Sequence, residues 1–193
     1  MMKLPIILAS TLPRRRDILK RAGVKFEVVD SGYEEDMTLN LKPRALVKYL
    51  ALGKARAVLG RVKTGLIIGG DSFVVLGNKI LGKPKNAAEA KKMLQQISGK
   101  KVAVLSGLAV VDADSGRSVS GVSESYFWFK KLSAREIADY IVTGEPLDKA
   151  GAFAIQDIGA AFIKKSSGDF WAAMGLSVYE LNKLLKKFGR KII

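Results

Sequence analysis

The hydrophobic positions fall in short blocks, punctuated by glycine, proline and charge, and their period changes from block to block. Residues 4–9 (LPIILA) form an apolar run that predicts a buried strand, and the segment from Pro13 to about Ala22 predicts a helix closed by Gly23. Residues 25–31 (KFEVVDS) predict a second strand, followed by a polar loop carrying Glu34, Glu35 and Asp36. Pro43 opens a long helix to about Leu59, stopped by Gly60. The stretch GLIIGGDSFVVLGNKILGKP predicts a buried strand, a Gly-Gly interruption and a hairpin turning at Gly77-Asn78. Asn86 and Glu89 suit the cap and third position of a helix that runs to Gly99. Residues 101–112 and 118–130 read as two long strands around the turn ADSGR. SARE at 133–136 and SVYE at 177–180 are both capping boxes, and between them lie a glycine-rich stretch and a strand near 158–165.

Helices interleaved with strands and hairpins indicate an α/β fold with a mixed sheet. With no repeat, linker or composition shift, one domain over residues 1–193, with two lobes and a cleft, is the simplest organisation. The start passes directly from a short apolar run into Pro13 and arginines, so it reads as a strand rather than a signal peptide. No apolar run approaches the roughly 18 residues of a membrane span. The expectation is a cytoplasmic protein with no membrane partner.

Composition changes this picture in two ways. There is no cysteine and no histidine among the 193 residues. That excludes disulfides, thiolate catalysis, Cys/His zinc sites and any Ser-His-Asp triad. An enzyme built from this chain works with Asp, Glu, Lys, Tyr or a metal-bound water. The formal net charge is +15, which points to an anionic partner. The lysines are dispersed, without a long basic run or an aromatic-studded basic strand, which argues against nucleic acid and for a solvated lysine-rich surface.

Three positions stand out chemically. Arg14, Arg15 and Arg16 follow Pro13 in the first turn of a helix, the positive end of its dipole. An anion held at the free N–H groups reverses that penalty, and arginine adds bidentate phosphate recognition. Ser10 and Thr11 supply hydroxyl donors beside it; the alternative is solvated arginines next to Asp17. Asp71, expected at the carboxyl end of a central strand, suits a metal ligand, a general base for water or a turn-capping carboxylate. Lys54 lies in the middle of the apolar stripe Leu46, Val47, Leu50, Ala57, Val58, either facing a cleft or snorkelling from its edge. Lys83 could reach a phosphate or lie on the surface. Glu34 and Glu35 could bind a divalent ion or be merely solvated. Gln156 could read a base edge or satisfy backbone groups. Together, and without Walker or dinucleotide glycine motifs, these residues suit a small phosphorylated ligand attacked by metal-assisted water.

The segments ILASTLPRRRDIL, GGDSFVV…KILGKPKNAAEAKKML, LSG and TGEPLDKAGAFAIQDIGA also resemble, in order, the signatures of the Maf family of nucleoside triphosphate pyrophosphatases. The resemblance implies the elongated mixed sheet and two lobes of the inosine triphosphate pyrophosphatases. It implies hydrolysis between the α and β phosphates with Mg²⁺ or Mn²⁺, and a homodimer. It assigns Ser10, Arg14 and Arg15 to phosphate binding, Lys54, Lys83 and Asp71 to catalysis, Glu35 with Asp71 to the metal, and Ser72 and Gln156 to the substrate. AIQDIGA resembles the subgroup acting on dTTP and UTP. Leu12, Ser72, Ala172 and Ser177 depart from the usual Ser, Thr, polar residue and Pro. Two alternatives stand beside this reading: a purine-directed pyrophosphatase of the inosine triphosphate type, and a non-catalytic nucleotide- or nucleic-acid-binding protein.

Overall fold

A computed structural model describes residues 4–193; Met1–Lys3, including the first lysine of the starting segment, lie outside the described residues. In chain order the elements are β1 Ile6–Leu8, α1 Pro13–Arg21, β2 Glu27–Val28, α2 Pro43–Arg56, β3 Leu66–Leu76, β4 Lys79–Leu81 and α3 Ala87–Ile97. They continue with β5 Lys101–Asp112, β6 Ser118–Phe129, α4 Ala134–Val142, β7 Ile163–Gly168, α5 Phe170–Met174 and α6 Val178–Lys186. One mixed sheet holds all seven strands, in the order β2-β1-β3-β5-β6-β7 with β4 on the free edge of β3. β1 runs parallel to β2 and β3, and every other pairing is antiparallel.

The expected α/β class with a mixed sheet is met, and the differences are local. The predicted strand over 25–31 shrinks to Glu27–Val28, an exposed edge pair. The predicted strand near 158–165 is a 3₁₀ turn over Ile158–Phe162, and extended pairing with β6 runs from Ile163 to Gly168. The short helix α5 has no sequence signal, being shorter than two helical turns. Ser177 caps α6 by accepting from the Glu180 amide at 2.9 Å, but the reciprocal half of that capping box is missing. The Glu180 side chain instead packs against Gly121 and pairs with Lys183. At α4 the box is complete: the Ser133 hydroxyl accepts from the Glu136 amide, and the Glu136 carboxylate accepts from the Ser133 amide. Ser133→Ala is expected to lower stability by about 1 kcal/mol in a denaturant titration. Lys130 first, and then the Ser133 donors, hold the Glu136 carboxyl at about 2. The stabilisation from that depressed group is therefore full above its ordinary range and is lost as pH falls through about 2.

The largest correction concerns Gly69-Gly70. They do not interrupt the strand; β3 runs extended through both, pairing with β5 from Leu66 to Val75. Side chains alternate across a strand, so the two glycines serve opposite faces. On one face α2 lies directly on the sheet. A Cβ on Gly69 would sit 2.2 Å from the Ala51 carbonyl oxygen, and one on Gly107 of β5 2.2 Å from that of Val47. Gly70, on the other face, lies beneath the Arg15 side chain, with a Cβ position 3.2 Å from Nε.

That second face explains the two lobes. Leu66, Ile68, Leu108 and Val110 pack under α1 and α6 at one end, while Val74, Val102, Val104 and Phe127 pack under α3 and α4 at the other. Between the two apolar clusters the floor is polar: Ser72 and its cross-strand partner Ser106 face each other with hydroxyl oxygens 3.2 Å apart. The cleft lies over this polar interval. One edge of β3 is also open there, because β1 pairs only with Leu66–Ile68 and β4 only with Val74–Leu76.

Candidate active site

α1 begins at this notch. β1 ends at Leu8, and Ser10 to Leu12 carry the chain into the helix. Leu12 is the N-cap residue and offers no side-chain cap; its own amide donates to Ser10 Oγ at 3.4 Å. The serine missing at this position therefore leaves the helix N-terminus without a side-chain acceptor. The three arginines diverge from here. Arg16 is exposed. Arg14 is exposed too, but forms a wall of the cleft. Arg15 is only 4% exposed: Nε donates to the Gly175 carbonyl at 3.0 Å and Nη1 to Ser10 Oγ at 3.1 Å. Burial pushes the Arg15 guanidinium down from its ordinary value, and Asp71 opposes that shift.

Asp71 is not at a strand end. It lies midway along β3, on the α2 face, because the glycine pair stays extended. The strand whose carboxyl end opens onto the site is β1. Lys54, one helical turn beyond Leu50 as its place in the apolar stripe predicts, points inward. Its Nζ donates to Asp71 Oδ1 at 2.7 Å and pairs with Glu35 Oε1 at 2.5 Å. The other Asp71 oxygen, Oδ2, is buried without any hydrogen-bond partner among the described residues. Burial pushes the Asp71 carboxyl above its ordinary value, while Lys54 pulls it back. A buried carboxylate oxygen left unpaired is costly, so this atom is set aside for a ligand, a proton or a cation.

Glu34 and Glu35, which the sequence leaves as a pair, are separated by the fold. Only Glu35 reaches the cluster, forming a hollow with Ser10, Arg15, Tyr33 and Lys54. Among the described residues no group of three or more His, Cys, Asp or Glu side chains is arranged to hold a metal ion. Asp71 and Glu35 instead offer two carboxylates within reach of one ammonium nitrogen. Two hard oxygen donors, one with an orphaned buried atom, fit a Mg²⁺-like cation that takes its remaining ligands from phosphate and water.

Ser72, the next residue after Asp71, points to the opposite face and lines the cleft with Arg14, Phe153 and Gln156. Gln156 and Arg14 also border a second hollow containing Trp171 and Met174. The site residues thus form two groups: Ser10, Glu35, Lys54 and Asp71 on one side of β3, and Arg14, Ser72 and Gln156 on the other, with Arg15 lying over Gly70 on the second face and bordering the hollow of the first. The open edge of β3 and the start of α1 connect them. Lys83 joins neither group. It is exposed in the loop after β4, forms no ion pair with the cluster, and lies near Asp148, whose carboxyl is held low by Lys149 first and Lys83 further.

Two participants have no candidate signal in the sequence reading. The Gly175 carbonyl, which anchors Arg15, is a backbone group with no side-chain signature. Tyr33 lies over Gly53, where a Cβ would be 2.4 Å from its ring. A glycine inside the α2 pattern was the available clue to a close approach. Ser177, in place of a proline, is buried and donates to Asp169, so the substitution installs an extra tie between α5 and α6.

The chain is similar to known proteins in sequence and in fold. The family described as "Maf-like protein" matches residues 5–188. A protein of Methanosarcina barkeri named dTTP/UTP pyrophosphatase is 44% identical over 97% of this chain and 95% of its own length. A protein of the same name from Pelotomaculum thermopropionicum is 42% identical over 97% of this chain and 98% of its length. The Ham1 protein of Staphylococcus aureus superposes with a TM-score of 0.52 over 95% of this chain and 99% of the other, at 11% identity, which shows a shared fold.

Proposed function

The chain belongs to the Maf-like family, and from that premise we propose that it is a nucleoside triphosphate pyrophosphatase acting on dTTP, UTP or related pyrimidine nucleotides. The observation that carries the reading is the Lys54–Asp71–Glu35 cluster with its unpaired Asp71 Oδ2, placed across an open strand edge from Arg14 and Gln156. The triphosphate occupies the side of Ser10, Lys54 and Asp71, and the base lies towards Gln156.

A divalent cation, Mg²⁺ or Mn²⁺, would be held by Asp71 and Glu35; when bound, it neutralises phosphate oxygens and makes the phosphorus more electrophilic. The chain's own groups do the rest. Asp71 Oδ2, freed of other partners, accepts the proton of the attacking water as the water oxygen bonds to phosphorus. The anhydride bond between the α and β phosphates breaks, and pyrophosphate leaves with the bond's electron pair. Lys54 fixes the Asp71 carboxylate through Oδ1. Arg14, at the helix N-terminus, stabilises the developing charge with its guanidinium and its own backbone N–H. Arg15 contributes by keeping Ser10 and the α1 start in place. The same reading carries a homodimeric, cytoplasmic protein; among the described residues no helix is long and apolar enough to cross a membrane.

The test is product analysis across dTTP, UTP, CTP, GTP and ITP with Mg²⁺ and Mn²⁺. The expected result is monophosphate and pyrophosphate, fastest from dTTP or UTP. Preference for ITP restores the purine-directed alternative, and tight nucleotide binding without turnover restores the binding-protein alternative.

A further inference from the structure

The loop that presents Gln156 is tied down at both ends to one hydrogen-bonded pair of side chains, Tyr140 and Glu145. Tyr140 of α4 is 2% exposed, its ring edge-on to Phe162 at 5.0 Å. Its hydroxyl donates to Glu145 Oε1 at 2.6 Å and accepts from the Ala154 amide at 3.2 Å. The Glu145 carboxylate in turn accepts from the amides of Ile158 and Gly159, both at 2.9 Å. Ala154 and Ile158–Gly159 bracket the tip Ile155-Gln156-Asp157, and that tip lines the cleft opposite Ser72 and Arg14. Gly159 has to be glycine for this seat, since a Cβ there would come within 2.5 Å of the Tyr140 hydroxyl. Upstream, Gly151 and Ala152 both hold positive φ, at 71° and 60°. For an alanine that conformation persists only when its surroundings enforce it. Burial opposes the Glu145 charge, but the Tyr140 hydroxyl and the two amides outweigh it, and the carboxyl stays below its ordinary value. Glu145 is therefore an ionised acceptor for all three donors.

We propose that Tyr140 and Glu145 are positioning residues that set the base selectivity of the cleft by clamping the loop that carries Gln156. The inference rests on the pyrophosphatase reading and adds to it. An amide side chain discriminates between bases only when its donor and acceptor are held in register with the base edge. Gln156 has no helix or strand of its own to provide this register. The Tyr140–Glu145 pair provides it, without touching the nucleotide. Asp71, Lys54 and Glu35, on the other face of β3, are independent of the clamp.

The test uses Tyr140→Phe, which keeps the packed ring and removes only the hydroxyl, together with Glu145→Gln, which keeps the shape and loses an acceptor. Each is compared with wild type for kcat and KM on UTP and ITP. The expected result is a rise in KM for UTP and about a tenfold fall in the UTP-to-ITP ratio of kcat/KM, with kcat for UTP largely retained. Amide hydrogen exchange at Ala154, Ile158 and Gly159 is expected to accelerate by about tenfold while the central strands stay protected. A folded Tyr140→Phe protein with unchanged selectivity and unchanged exchange at these amides overturns the clamp. Equal loss of kcat on every nucleotide also overturns it, because that is a structural effect without selectivity. If the wild-type chain turns over no nucleotide, the pyrophosphatase reading fails separately. Relative affinities of the same variants for UTP and ITP, with the exchange rates, then decide the clamp.

Discussion

Asp71→Asn is expected to abolish nucleotide hydrolysis, by about a thousandfold or more, while the protein remains folded. The expected loss combines two contributions of one side chain: Oδ2 is the buried oxygen free to take a proton, and the carboxylate is half of the charge available to a cation. Retention of the fold follows from the pKa direction. Burial raises the Asp71 carboxyl above its ordinary value. The protonated form is thus favoured in the folded state, and that advantage is fully present at low pH and lost as pH rises through the raised value. At neutral pH the ionised Asp71 costs the fold stability, and the amide removes this cost while Lys54 keeps Glu35 as its counter-charge. Thermal unfolding at neutral pH should therefore show an equal or higher Tm. In the wild type without divalent cation, the Asp71 carboxyl should titrate, followed by carbon-detected NMR, with a midpoint above its ordinary value of 3.8. Full activity of the Asp71→Asn protein would remove Asp71 from the mechanism, and a low midpoint would show that the carboxylate is not buried as described.

Gly69→Ala carries the second large effect, in which stability and activity are lost together. The added methyl would lie 2.2 Å from the Ala51 carbonyl oxygen and 2.7 Å from the Ala55 amide nitrogen. Both are backbone atoms of α2, so no rotamer change relieves the contact. The helix has to lift from the sheet, at about 3 kcal/mol or more. For a chain of this size Tm should drop by roughly 6 to 12 °C. Lys54 lies between Ala51 and Ala55 on the same helix, and lifting it opens the 2.7 Å contact with Asp71. Displacements of about an ångström cost on the order of a hundredfold in rate. Gly82→Ala is the control for stability: its added methyl meets nothing within 4 Å, and Tm should not change measurably. A Gly69→Ala protein with wild-type Tm would show that α2 does not rest on the sheet at this point.

These two residues show how far a linear reading reaches. The inward direction of Lys54 was legible, because its apolar neighbours recur at the helical period. The start of α1 was legible from Pro13, which stands at its first position. Asp71 was identified as a candidate, but its setting was misplaced, since a glycine pair normally breaks a strand and only the approach of α2 and Arg15 explains why it does not. That one misplacement also concealed the split between Asp71 and Ser72. Neighbouring residues on an unbroken strand face opposite ways, and here those ways lead to the Lys54 cluster and to the cleft lined by Arg14 and Gln156. The second capping box was misread for a similar reason: Glu180 has the right spacing, but Gly121 of β6 gives its side chain a different place.

By itself, then, the sequence determined what is settled within a few residues of chain: most of the strands and helices with their turns, the cap of α4, the absence of cysteine and histidine chemistry, and the identity of the charged candidates. These depend on backbone propensity and side-chain period, which act over one or two turns. Only the tertiary structure decided which charges meet. Lys54 bonds to Asp71 across 17 positions, and the Arg15 side chain bonds to the Gly175 carbonyl across 160. Such contacts are set by how closely α2 can approach the glycines of β3 and β5, and by where the apolar clusters on the opposite face leave a polar gap. No local pattern encodes that closeness, because it is a property of surfaces packed together rather than of the order of residues along either one.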